Sequence, residues 1–180
     1  MSIKQLIISI SIFLLSSQLF SQVTSAAEAI SFSSKDLQGD LHTIERYRGK
    51  WIVVNYWGIF CGPCLREMPE LSVFHNQHKE TDAVVLGINQ EELPIEVMAS
   101  FRDKMKISFP LLSVPFEQVT PFGNVTILPT TFIISPEGKL VARQQGAITM
   151  QMLEDYIQRN KHEFQNKKQP TKSNENKKSL

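Results

Sequence analysis

Cys61 and Cys64 are the only cysteines in the 180-residue chain, and they stand three apart as Cys61-Gly62-Pro63-Cys64. Thiols at that spacing can close a disulfide, share a soft metal ion or hold a haem covalently. Haem attachment needs histidine directly after the second cysteine, and Leu65 is there. With His75 and His78 the pair also spells C-x2-C-x10-H-x2-H, a zinc-finger count. No hairpin signal lies between, however, and a helical pattern runs straight through. Helix rising about 1.5 Å per residue would set His75 roughly 16 Å from Cys64, whereas zinc ligands sit within about 2.3 Å of one ion. Two readings stay beside redox chemistry: a permanent structural bridge, although so short a loop gains little from closure, and Cu(I) binding by the two thiolates with Met68 adding a thioether.

Placement matters more than spacing. Trp51–Trp57 (W-I-V-V-N-Y-W) is a β-branched and aromatic run, which predicts a buried central strand. From Pro63 to Lys79 the apolar residues Leu65, Met68, Leu71 and Phe74 recur at helical spacing, with Pro69 inside predicting a kink. The cysteines therefore fall where a buried strand hands over to a helix. Free N–H groups and the helix dipole favour negative charge there, so a thiolate is stabilised and nucleophilic near neutral pH. Cys61, at the exposed end, is expected to attack. Cys64, one turn further in, is expected to resolve the mixed disulfide.

The remaining elements frame that junction. Ile30–Phe32 and Leu41–Ile44 flank a turn-rich stretch and read as a hairpin. Ala83–Ile88 and Phe109–Leu112 read as strands, with a helix over Pro94–Lys106 placing Met98, Phe101 and Met105 on one face. Pro115–Phe122 reads as a short helix or turn. Thr131–Ser135 and Lys139–Gln144 form strands joined by Ser135-Pro136-Glu137-Gly138. Thr149–Arg159 is the last helix, with Met152, Leu153, Tyr156 and Ile157 predicted inward. The order β-β, β-α-β-α-β, β-β-α predicts an α/β domain with helices on a mixed sheet.

With 42% hydrophobic and 21% charged residues the chain has material for one ordinary domain and is too apolar to be disordered. A net charge of +1 gives no support to nucleic-acid binding. The near-neutral total hides a mildly acidic body over 30–160 and a basic segment over 161–180, which carries Lys161, Lys167, Lys168, Lys172, Lys177 and Lys178. That segment reads as a solvated, disordered tail. At the other end, Lys4 precedes the apolar run Leu6–Leu15 and then small residues, with Ala27-Glu28-Ala29 or Ser25-Ala26-Ala27 as cleavage sites. That is signal-peptide architecture over 1–29, with a retained anchor as the alternative. It implies work outside the cytoplasm, in the periplasm or on the outer membrane face, where disulfides persist.

The segment from Trp57 to Leu71 resembles the active-site stretch of thioredoxin-fold proteins. It is most similar to the extracytoplasmic thioredoxin-like thiol–disulfide oxidoreductases, which include the cytochrome c maturation reductases. Leu128-Pro129-Thr130-Thr131-Phe132 resembles the stretch with that family's cis-proline, and the likeness spans about 30–160. The resemblance implies a thioredoxin fold with an N-terminal β-hairpin and a central insertion over about Asn89–Leu112. It implies a cis bond before Pro129, with that residue against the cysteine pair. It also implies a glutamate near the site in the insertion, where Glu92 matches best and Glu91 competes; a partly buried acid there would tune the cysteines and relay a proton to Cys64. Two departures stand out. Asn55 occupies the position of thioredoxin's buried aspartate and cannot accept a proton, and Phe60 replaces the usual tryptophan beside the first cysteine.

The expected activity is thiol–disulfide exchange through a Cys61–Cys64 pair, in the reducing direction because the Gly-Pro between the cysteines resembles thioredoxin's own, which implies a low potential. Protein disulfides are the expected substrates, apocytochrome c cysteines among them by family similarity. A membrane or periplasmic donor would return the electrons to a monomeric enzyme. No cofactor, metal or nucleic acid is expected. A disulfide oxidant or isomerase and a Cu(I)-handling protein are the alternatives. His42, His75, His78 and His162 read as solvated or packing groups.

Overall fold

A computed structural model describes residues 29–115, 118 and 120–168, with side chains along the last helix described through Lys161. The expected signal segment therefore lies outside the described residues, apart from Ala29. The order is β1 (Ser33–Lys35), β2 (Leu41–Thr43), a 3-10 turn at Glu45–Tyr47, β3 (Trp51–Trp57), α1 (Gly62–His78), β4 (Ala83–Asn89), α2 (Ile95–Met105), β5 (Leu111–Ser113), β6 (Thr130–Ile134), β7 (Leu140–Gln145) and α3 (Met150–Lys168).

Five strands form a mixed sheet in the order β5-β4-β3-β6-β7, so β3 is its centre, parallel to β4 and antiparallel to β6. Every residue of β3 and β4 is buried. Alternation along β3 divides the core in two, as the pleat requires. Trp51, Val53 and Trp57 share one cluster with Cys64, Met68, Leu71 and Phe74 of α1, Met98 of α2, and Leu153 and Ile157 of α3. Ile52, Val54 and Tyr56 face the other cluster, covered by Phe32, Ile44, Phe122 and Val125 from segments outside the three helices. The helices therefore share one layer. Truncating a fully buried ring in it, such as Phe74, costs about 3–5 kcal/mol.

Three expectations shift. The first hairpin strand lies at Ser33–Lys35, not Ile30–Phe32, because Asp36 fixes the turn by accepting N–H bonds from Gln38 and Asp40 (both 2.9 Å). The last helix continues to Lys168, so 161–168 is helical rather than tail. Lys, His, Glu, Phe, Gln and Asn tolerate a helix, and the next proline after α3 begins is Pro170. Met152 is 41% exposed, since the α3 stripe that meets the sheet runs through Leu153 and Ile157. Pro69 lies inside α1 without ending it. Among the described residues no helix is long and apolar enough to cross a membrane.

Candidate active site

β3 ends at Trp57, the chain turns through Gly58, Ile59 and Phe60, and α1 starts at once. Cys61 is the N-cap, in extended conformation, and its Sγ accepts the Cys64 N–H at 3.3 Å. A cap position needs an acceptor for the free N–H groups of the first turn, and here sulfur supplies it. Pro63 lacks an N–H where none is required. Cys61 and Cys64 are joined in a disulfide, Cα–Cα 5.2 Å. Cys61 is partly exposed and Cys64 is fully buried. An incoming sulfur therefore meets Cys61 first, beside the Phe60 ring, which is 89% exposed.

The Leu128–Pro129 bond is cis. Tyr56 pairs with Thr130 across the antiparallel β3–β6 ladder, which sets Pro129 at the end of β3 that leads into the cysteine loop. Pro129 is buried and its carbonyl accepts from Gly146 N at 2.9 Å, while Ile127 and Leu128 before it are exposed.

The expected glutamate is in the insertion, but the neighbour takes the position. Glu91 Oε2 accepts from Ile59 N and from Asn89 Nδ2, both at 2.8 Å, and so ties the cysteine loop to the end of β4. Gly58 makes room for it, since a Cβ there would lie 3.0 Å from Glu91 Oε1. Glu92 has a left-handed backbone, φ 45°, and an exposed side chain. One residue of turn geometry decides which acid faces the loop.

A second acid was not anticipated. Glu67 is 3% exposed, one helical turn after Cys64. Its Oε1 accepts from Asn55 Nδ2 at 2.7 Å and its Oε2 from Ile148 N at 2.8 Å. Burial pushes the Glu67 carboxyl above the ordinary glutamate range, against the pull of those two hydrogen bonds, and the nearby Glu70 pushes the same way. Asn55 Nδ2 donates also to Thr131 Oγ1 at 3.0 Å. Asn55 and Thr131 are directly paired across β3 and β6, so the three side chains form one buried polar group that meets α1 one helical turn after Cys64. A signal was available: Asn55 has the strand parity of Val53 and Trp57, and Glu67 lies within the Cys64, Met68 and Leu71 stripe. A polar residue on each of two facing apolar surfaces implies a pair.

The histidines serve the frame. His75, expected at a helix surface, is 6% exposed, and its Nδ1 accepts from Val85 N at 3.1 Å. Burial lowers it to about 4, so it is a neutral ring that bonds α1 to β4. His78 lies between Asp82 (2.8 Å) and Glu154 (2.7 Å). His42 bridges Tyr47 and Asp36 and is 5% exposed. His162 lies beyond the described side chains. Among the described residues no three His, Cys, Asp or Glu side chains gather as a metal site.

Comparison with known proteins agrees with this geometry. Residues 26–143 match the model described as the AhpC/TSA family. A thiol-disulfide oxidoreductase ResA of Geobacillus kaustophilus (strain HTA426) is 32% identical over 136 residues, 76% of this chain and 78% of the relative. The protein of the same name from Halalkalibacterium halodurans is 30% identical over 131 residues, 73% of this chain and 74% of its own. Among solved structures, a DsbF homologue from Corynebacterium diphtheriae is 25% identical with a TM-score of 0.66, over 73% of this chain and 85% of that one.

Proposed function

This chain belongs to the AhpC/TSA family as a thioredoxin-fold thiol–disulfide oxidoreductase, and on that premise we propose that it reduces protein disulfides outside the cytoplasm, apocytochrome c cysteines among them. The observation that carries the reading is the asymmetry of the pair: a partly exposed Cys61 capping α1, and a fully buried Cys64 behind it.

The reduced enzyme begins with Cys61 as thiolate, favoured by the N–H groups at the start of α1. It attacks one sulfur of the substrate disulfide, and the other substrate sulfur leaves with the bonding pair and takes a proton from solvent. Cys64 then gives its proton to Glu67 and attacks Cys61. The second substrate sulfur leaves as thiolate, and the Cys61–Cys64 disulfide remains. An upstream dithiol must then reduce it. Glu67 suits the proton step because it is buried, one turn from Cys64, and held above its ordinary range. Phe60, Ile127 and Leu128 offer the substrate an apolar rim, and the N-terminal apolar run supports the extracytoplasmic location.

The test is trapping. Cys64→Ala should accumulate mixed disulfides through Cys61, including with a peptide carrying the apocytochrome Cys-x-x-Cys-His motif. Trapping by Cys61→Ala instead would reverse the roles. A redox potential high enough for glutathione to reduce the pair would make the enzyme an oxidant or isomerase.

A further inference from the structure

The buried polar group of Asn55, Glu67 and Thr131 holds one unmatched atom. Asn55 is fully buried and both its amide hydrogens are used, toward Glu67 Oε1 at 2.7 Å and Thr131 Oγ1 at 3.0 Å. Its Oδ1 meets no donor among the described residues. A buried amide that leaves its carbonyl unpaired while spending both donors is oriented by its partners.

The partner is Glu67, and its own count explains the orientation. Oε1 accepts from Asn55 and Oε2 from Ile148 N, so both oxygens act as acceptors. That count suits a carboxylate. Once protonated, the carboxyl must donate from one oxygen. The Ile148 N–H is main chain and cannot turn away, so the proton belongs on Oε1. There it would face an Asn55 N–H, donor against donor.

A half-turn of the Asn55 amide about its Cβ–Cγ bond removes the conflict. Oδ1 takes the place of Nδ2 and accepts the Glu67 O–H. The Thr131 hydroxyl, which can donate or accept, reverses and donates to the same oxygen. Both hydrogen bonds survive, and the unpaired end becomes Nδ2 instead of Oδ1. Each orientation leaves one end of the amide unmatched, so the proton on Glu67 selects between them.

We propose that Asn55 is a two-position hydrogen-bond switch, donating to ionised Glu67 and accepting from protonated Glu67 after a half-turn, with Thr131 reversing alongside it. The proposal rests on Glu67 taking the Cys64 proton. Cys64 S–H and Glu67 carboxylate become Cys64 thiolate and Glu67 carboxylic acid. The thiolate's electron pair forms the bond to Cys61 and expels the substrate sulfur. Asn55 touches none of the reacting sulfurs in this scheme; it is a positioning residue that lets the carboxyl hold either state without a buried clash. An aspartate at 55 would instead set two carboxyls at hydrogen-bonding distance, where one ionises only at the other's expense.

The experiment is a pH titration of the oxidised full-length chain by NMR, following the Glu67 carboxyl carbon and the Asn55 side-chain amide together. Both Asn55 amide protons should shift with the Glu67 midpoint, and Glu67→Gln should abolish that shift. In single-turnover reduction of a peptide disulfide, Asn55→Ala should slow Cys64 attack about tenfold and move its pH midpoint upward. A Glu67 carboxyl that titrates beside an unmoving Asn55 amide overturns the switch and leaves the Glu67 reading standing. A Glu67→Gln variant with the wild-type pH–rate profile overturns that reading, and the switch with it. If Asn55→Ala does not fold, the wild-type titration decides alone.

Discussion

At the start of α1, Glu67 is buried among neutral partners, the Asn55 amide and the Ile148 N–H. At its end, Asp82 and Glu154 flank the His78 ring, and Lys161 of α3 reaches Asp82 at 2.5 Å. Burial acts on the acids at both ends, but opposite charge outweighs it at one end only. Lys161, His78 and Thr81 hold Asp82 down at about 2, although burial pushes it up. Burial would lower His78, yet its bonds to Asp82 and Glu154 raise it above its usual value. Both ring nitrogens face carboxylates, an arrangement that favours the imidazolium and ties α1 to α3. An acid matched by full charges stays ionised and becomes structure. An acid matched by dipoles alone keeps a proton within reach, as the proposed proton step requires.

Five substitutions break or sharpen that contrast. The largest effect is expected from Glu67→Gln, which should slow Cys64 attack about a hundredfold and flatten its pH dependence in single-turnover assays. The same variant should be more stable than wild type at alkaline pH. A carboxyl whose folded value is raised contributes stability below its unfolded value and loses it as pH rises through the folded one.

Acidification should next separate the two histidines. His75 is held at about 4 when folded, so between its unfolded value and about 4 the unfolded chain binds the extra proton. Stability should then fall with falling pH by up to about 1.4 kcal/mol per unit. His75→Gln should remove that slope in denaturant titrations.

His78→Ala should cost about 1 kcal/mol, given the partial exposure of its partners, and leave reductase activity unchanged. The sign is opposite to that of His75. His78 is raised in the fold, so its contribution is complete below its unfolded value and disappears as pH rises through the folded one. A penalty that grows with pH would refute the imidazolium assignment. The smallest effect belongs to Glu92→Ala, expected within about twofold of wild type as an exposed substitution. Glu91→Ala, which unties Ile59 N, should by contrast raise hydrogen exchange across Gly58–Cys61.

The chemistry was largely legible because its signals are local. A β-branched and aromatic run marks β3, a 3.6-residue stripe marks α1, and the cysteines stand at their junction. Cap geometry then follows from chain direction, and the Leu-Pro-Thr-Thr stretch marks the loop end of β6. What stayed hidden involves partners far apart in the chain. Glu67, Asn55, Thr131 and Ile148 meet only when β3, β6, α1 and the start of α3 pack, and no residue among them predicts the others by spacing. The choice of Glu91 over Glu92 turned on one left-handed residue, and the burial of His75 on a β4 N–H in need of an acceptor. Periodicity and turn chemistry are properties of neighbouring residues and can be read along a line. Desolvation, and the hydrogen bonds that offset it, belong to residues that only a folded core brings together, so the buried polar half of this site was decided in three dimensions.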